Sequence, residues 1–413
     1  MTMTTNSQER LHGLDAVRGL ALILGVILHA TMSFLPGPDI WMASDIHRSA
    51  TLALVFFVVH MLRMTTFFLI AGFFAHMGFH RLGAKGFIKD RLKRIALPLV
   101  IGWPILFAAI VVAMIIAALV AHGGTLPKSP APSPAFTASD FPLTHLWFLY
   151  VLLIFYALAI AVRSVVALVD RQGGLHAVVD RGVRMLAGFW APLLLAAPLC
   201  ASLYFQNDWF MWFGIPTPDH SLYPNLPALV AYGGAFAFGW LLHRQGDLLQ
   251  QWRHRWWLNL GLAIGFTVAS LALVGMQSAP LPAAHNSLTL AYAACYSLGV
   301  WFWTFGIIGA ALRFLSGHSP ARRYLADASY WIYLVHLPLV IALQGLVSQL
   351  QLSWMIKFPL ILIVAFTLML LSYQWCVRYS FIGAVLNGRR QPRLASEGSP
   401  GKDGKIPAAT DTA

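Results

Sequence analysis

The stretch Leu14–Ser33, LDAVRGLALILGVILHATMS, is apolar enough to span a membrane, yet it holds Asp15 and Arg18 near one end and His29 near the other. An ionisable side chain in a spanning helix costs about 2.5–3.5 kcal/mol on insertion scales, so such residues mark a functional task by default. Arg18 and His29 are eleven positions apart. At about 3.6 residues per turn they lie on nearly the same helix face, about 16 Å apart along the axis. An imidazole whose ordinary pKa is near 6.5 can take a proton from an alcohol at neutral pH. A guanidinium keeps its charge and must find a carboxylate, a ligand anion or backbone carbonyls. One face of the first helix thus offers a base at one end and a cation at the other, and a long, thin substrate would fit between them.

Further candidates lie along the chain. Arg63 stands mid-span with no acid near it in sequence, and His60 precedes it by three positions on the same face. Arg91 and Arg94 form an RxxR pair at the start of a span, two guanidinium forks able to grip phosphates. His145 and Trp147 open another span, and His336 lies within SYWIYLVHLP. Each has a plainer reading. His29 could be hydrogen-bonded within the bundle, and Arg18 could be paired with Asp15 one turn away. The RxxR pair could serve orientation, Trp147 could be an interfacial anchor, and His336 could bond across helices. The company of Asp15, Arg18, His60 and Arg63 favours catalysis for His29.

The elements that must position these residues follow from composition. Hydrophobic residues make up 58% of the 413 and charged residues 10%, against about a quarter charged in soluble domains. The expected fold is an all-α, polytopic membrane helix bundle of about ten transmembrane helices. The predicted spans fall near 14–34, 51–78, 95–120, 145–166, 186–205, 227–242, 256–275, 287–312, 325–347 and 355–377. The net charge of +13 sits in alternate loops and in the tail, which orients a membrane protein and is no signal for nucleic acid. The strongest basic loop, 80–94, carries Arg81, Lys85, Lys89, Arg91, Lys93 and Arg94 against Asp90, and goes to the cytoplasm together with both termini. Residues 1–13 form a polar, mobile cytoplasmic segment, 14–378 the membrane domain, and 379–413 a basic tail expected to be disordered beyond about Gly388. Cys200, Cys295 and Cys376 lie in apolar runs without metal spacing, so neither a disulfide framework nor a metal site is expected. No cleavable leader is evident, and no glycine-rich phosphate loop, HExxH or GxSxG occurs.

Taken together, LDAVRG followed by His29, RLKR at 91–94 and SYWIYLVHLP around His336 resemble the acyltransferase-3 family of integral membrane acyltransferases. Within it, HMLRMTTFFLIAGFF (60–74), RLKRIALP (91–98), HLWFLYVL (145–152) and YLVHLPL (333–339) are similar to the members that succinylate osmoregulated periplasmic glucans. The resemblance implies a bacterial inner-membrane enzyme with no bound cofactor. It would move an acyl group from a cytoplasmic acyl-CoA (succinyl-CoA) to hydroxyls of a periplasmic glucan, and could associate with the glucan synthesis machinery. It implies His29 as catalytic base, Arg18 with Asp15 as its partner in the first helix, and Arg91 and Arg94 as donor contacts. Arg63, His60 or His336 would stabilise the oxyanion. His145 and Trp147 stand where many members carry an acidic residue, which leaves their role open. Two alternatives remain: O-acetylation of lipopolysaccharide, exopolysaccharide or another surface glycan, and a transporter of a small anion or glycan. Mid-span Arg and His residues fit the transporter. The lack of a visible repeat or paired broken helices speaks against it.

Overall fold

A computed structural model describes residues 2–126, 136–170, 190–243, 246–278 and 283–388, with scattered positions between 174 and 188. Among the described residues the chain is helical, without a β-strand. In hydrocarbon a helix satisfies its backbone groups internally, so long apolar runs have little choice of form. The helices are α1 (Thr2–Met32), α2 (Ala50–Arg91), α3 (Leu97–Ala121), α4 (Trp147–Val169), α5 (Ala191–Tyr204) and α6 (Leu226–Leu242). They continue with α7 (Gly246–His254), α8 (Trp256–Val274), α9 (Ser287–Phe314), α10 (Pro320–Val347), α11 (Trp354–Ser372) and α12 (Phe381–Asn387). Their starts are chemically marked. Side-chain oxygens of Ser49, Asn286 and Ser319 accept from the free backbone N–H groups of Leu52, Thr289 and Arg322, and Pro320 takes a first-turn position where no N–H is needed.

Seven helical segments among the described residues are long and apolar enough to cross a membrane, where the sequence leads one to expect ten. The difference has two sources. Ala50–Ala121 runs as a single helical segment of 72 residues through a kink, and Ala191–Tyr204 and Leu226–Leu242 are shorter apolar helices. The basic stretch 80–94, expected as a loop, is helical. It is broken at Gly83, whose φ of +67° is cheap only for glycine, and it leads through a π turn, Leu92–Ala96, into α3. Residues 2–13, expected to stand apart as a mobile segment, continue α1. The tail beyond Gly388 lies outside the described residues.

Helix α1 packs against α2, α9, α10 and α11. Helices α2 and α6 approach backbone to backbone: a Cβ on Gly72 would lie 2.0 Å from the Phe236 carbonyl oxygen, and one on Gly239 would lie 1.8 Å from that of Leu69. Small residues permit such crossings where no solvent drives helices together. The connection 33–49, joining α1 to α2, folds tightly over the bundle end opposite the RxxR turn. Ser33 Oγ donates to the Ala43 carbonyl, and Arg48 donates to the carbonyls of Ser33 and Leu35 and to Asp39. That guanidinium holds the Asp39 carboxyl below its usual range. Asp45 pairs with Lys357 of α11 at 2.8 Å, with both side chains 0% exposed.

Breaking a buried pair from one side leaves an uncompensated charge, which costs about 3–5 kcal/mol. Lys357→Met is therefore expected to lower the melting temperature of the detergent-solubilised protein sharply, and Lys357→Met combined with Asp45→Leu should recover most of it. A single variant as stable as the wild type would show that Asp45 carries no charge in the folded protein.

Candidate functional site

Most of the sequence candidates separate into two adjoining cavities. The first, about 380 Å³, is lined by His29 of α1, Arg63 and Met64 of α2, His145, Trp147 and Phe148 around the start of α4, and Tyr333 and His336 of α10. Its three imidazoles are neighbours: the His336 ring centroid lies 5.2 Å from that of His29 and 5.2 Å from that of His145.

Hydrogen bonds define which nitrogen carries the proton. His336 Nδ1 lies 2.7 Å from the Tyr333 carbonyl oxygen, which can only accept, so Nδ1 bears hydrogen. Its Nε2 is then a lone pair, buried and without a partner. By the same reasoning His145 Nε2 donates to the Leu334 carbonyl at 2.9 Å. The His145 carbonyl accepts from the Tyr333 hydroxyl at 2.7 Å, which locks the start of α4 to α10. His29 Nδ1 is also buried without a partner, and the backbone carbonyl of His29 accepts from Gln344 Nε2 at 2.9 Å.

Arg63 projects into this chamber with no carboxylate in ion-pair distance among the described residues, and its Nε has no hydrogen-bond partner. Gly25, one turn before His29 on α1, makes room for it: a Cβ there would lie 2.6 Å from Arg63 Nη1.

The second cavity, about 840 Å³, is lined by Arg18 of α1, Arg91 and Arg94 of the RxxR segment, Tyr156 of α4, Tyr330 of α10 and Asn387 of α12. Arg91 Nη2 lies 2.9 Å from Asp90, and Arg94 Nη1 is 3.9 Å from the same oxygen, so two guanidinium groups share one carboxylate. Arg91 also donates to the Tyr156 hydroxyl at 3.3 Å, and Arg94 Nε donates to the Leu386 carbonyl at 3.2 Å. The π turn between α2 and α3 carries Arg94, and π turns frequently mark functional sites. Leu22, Phe67 and Phe148 line both cavities and form an apolar collar between them.

Two groups of candidates lie away from the imidazole chamber. Arg18 lies at the other end of the span from His29, as their spacing implies. It pairs with Asp15 at 3.1 Å, as the plainer reading has it, and lines the basic cavity with Arg91 and Arg94, which Asp15 does not. His60 does not line the chamber. It stacks on Phe56 at 5.5 Å, with Nδ1 3.4 Å from the Tyr296 hydroxyl. Sequence reasoning also passed over Tyr333, Gln344 and Trp41. Tyr333 is signalled by its place three residues before His336 on one helix face, but Trp41 and Gln344 only by their contacts in three dimensions.

This geometry sits inside a known family. The profile of the acyltransferase-3 family, an acyltransferase domain, matches residues 11–374. The chain belongs to the acyltransferase-3 family. Among similar proteins, the glucans biosynthesis protein C of Salmonella paratyphi B is 22% identical over 404 residues, covering 97% of this chain and 100% of the relative. That of Escherichia coli strain SMS-3-5 is 21% identical over 411 residues, covering 95% and 98%. No solved structure matches the chain. With its long apolar helices this acyltransferase is a multi-pass membrane protein.

Gly25→Ala would press its Cβ against the Arg63 guanidinium, the only side chain within 4 Å of that Cβ position, and displace it. It is expected to lower acyl transfer about 100-fold, the scale of a 1 Å misplacement, with the melting temperature little changed. Full activity in this variant would remove Arg63 from the site.

Proposed function

We propose that this acyltransferase carries a succinyl group from a cytoplasmic acyl-CoA through the bundle to hydroxyls of a periplasmic glucan. The observation that carries the reading is the pair of cavities, one basic and one lined by imidazoles, meeting at the collar Leu22, Phe67 and Phe148. Arg18, Arg91 and Arg94 suit the phosphates of the donor. The excess of Lys and Arg at their end of the bundle argues for a cytoplasmic position. The distance of about 16 Å from Arg18 to His29 along α1 matches an extended pantetheine arm, which would pass the collar and deliver its thioester to the chamber.

There His29 takes the proton of an acceptor hydroxyl as the oxygen attacks the thioester carbonyl. The tetrahedral oxyanion forms close to the Arg63 guanidinium, where a fixed cation in a dry site contributes most. The C–S bond then breaks, the proton passes from His29 to the departing sulfur, and the products are an ester and a free thiol. The His336 ring packs against His29 with centroids 5.2 Å apart and steadies that imidazole by contact, not by a hydrogen bond.

Two observations support the finer choices. Arg63 has no internal counter-ion among the described residues, which suits an acyl group with its own carboxylate better than acetyl. The relatives' name points to glucan as the acceptor. Acetyl transfer to another surface glycan is the second reading, and it leaves Arg63 without an anion in the ground state.

Mass spectrometry of periplasmic glucans from a deletion strain tests both choices. Wild type should restore a succinyl increment and His29→Ala should not. Arg63→Met should depress succinyl transfer more than acetyl transfer. Identical glucans in every strain would sink the glucan acceptor and turn attention to surface polysaccharides.

A further inference from the structure

The basic cavity continues into a third, away from the imidazole chamber. The third cavity measures about 530 Å³, within the range of about 300–1,000 Å³ that small-molecule sites occupy. It lies where α1 meets the start of α10 and shares Arg18, Ala326 and Asp327 with the basic cavity. The two helices pack closely there: a Cβ on Gly19 would lie 3.3 Å from the Ala326 Cα. Each helix meets the three cavities in the same order. Along α1, His12 and Asp15 line the third cavity, Arg18 the junction, Leu22 the collar and His29 the imidazole chamber. Along α10, Arg322 and Arg323 come first, then Asp327 at the junction, Tyr330 in the basic cavity, and Tyr333 with His336 in the chamber. The cavities therefore lie in a row.

The third cavity carries both signs of charge. Arg322 is a fixed cation: its Nη1 and Nη2 donate to the Leu315 and Gly317 carbonyls, each at 2.7 Å. Arg323 is exposed and lines the same cavity. The imidazoles of His12 and His318, also in its wall, meet edge to face at 5.6 Å. Asp15, paired with Arg18, and Asp327 are its acids. Those carboxylates would repel a bare polyanion, whereas a phosphorylated nucleoside uses both signs. Its phosphate goes to a guanidinium, and its base amine and ribose hydroxyl donate to carboxylate oxygens. Arg323 precedes Asp327 by one turn, about 6 Å along the axis, a step comparable with a ribose that separates two phosphate groups. We infer that the third cavity is the nucleotide subsite of the donor, holding the adenosine 3′-phosphate end of CoA with Arg323 at the 3′-phosphate, while the diphosphate lies at Arg18, Arg91 and Arg94. This rests on the proposed acyl-CoA donor and adds the residues that recognise its far end.

The test uses the full chain in nanodiscs and two probes, CoA and dephospho-CoA, which lacks only the 3′-phosphate. In calorimetric titration the wild type is expected to bind CoA about 10-fold more tightly than dephospho-CoA, the scale of one charge-assisted contact. Arg323→Gln should lower CoA affinity to that of dephospho-CoA and leave dephospho-CoA affinity unchanged, and Arg323→Lys should keep part of the preference. Arg91→Gln should weaken both probes alike, since both carry the diphosphate. In steady-state assays Arg323→Gln should raise the donor KM and leave the acceptor KM unchanged. Equal affinity of the wild type for the two probes overturns the subsite, as does a preference that survives Arg323→Gln or an equal loss for both probes. Failure of the wild type to bind either probe rejects the donor and the subsite together. Unchanged affinities in Arg91→Gln reject the basic cavity as the diphosphate site, while the Arg323 comparison still decides the nucleotide subsite.

Discussion

A guanidinium held inside an apolar helix bundle without a carboxylate to neutralise it is the costliest feature of this molecule, and much of the surrounding architecture accommodates it. Arg63 cannot lose its charge as a buried lysine could. The chain supplies no acid among the described residues. It leaves a glycine at position 25 to receive the side chain and lines the remaining space with imidazoles and aromatic rings. Such an arrangement is stable only because the bundle around it is braced elsewhere, through the backbone-close α2–α6 crossing at Gly72 and Gly239 and the buried Lys357–Asp45 pair. The uncompensated cation is then ready for an anion that arrives with a substrate or forms during reaction.

The two cavities divide the chemistry by polarity. Helix α1 touches both, with Arg18 in one and His29 in the other. Its packing on α2, α9, α10 and α11 holds that spacing rigid. On the proposed function, binding of a highly charged group would thereby be kept apart from proton transfer. The imidazole chamber is the smaller of the two cavities, and the polyanionic part of a donor would remain in the larger, basic one.

Much of this was legible in the sequence because a membrane makes polar residues conspicuous. The apolar runs marked where helices form, and His29, Arg63, His145, Trp147 and His336 stood out in spanning segments and do converge. What was not legible depended on tertiary rotation and on loops. His60 is three positions from Arg63, yet it turns to Phe56 and Tyr296, because helical spacing leaves about 60° between such neighbours. Arg18 looked like a partner for His29 because both lie on one face, but the collar of Leu22, Phe67 and Phe148 separates them. Trp41 with Gln344, and Asp45 with Lys357, join positions about 300 residues apart by sequence-silent contacts.

The collar also bears on electrical insulation. A passage that joins a basic vestibule to a proton-handling chamber would, if filled with water, be a leak for protons and ions across a membrane that stores energy as a potential. Constrictions made of leucine and phenylalanine side chains dewet readily. Phe67 and Phe148, in edge-to-face contact at 4.5 Å, place apolar rings between the two cavities, where such rings would act as a plug. A substrate arm threading it would replace one plug by another. The acyl group could then cross without a continuous water column ever connecting the two sides, so that catalysis would not dissipate the ion gradients of the cell.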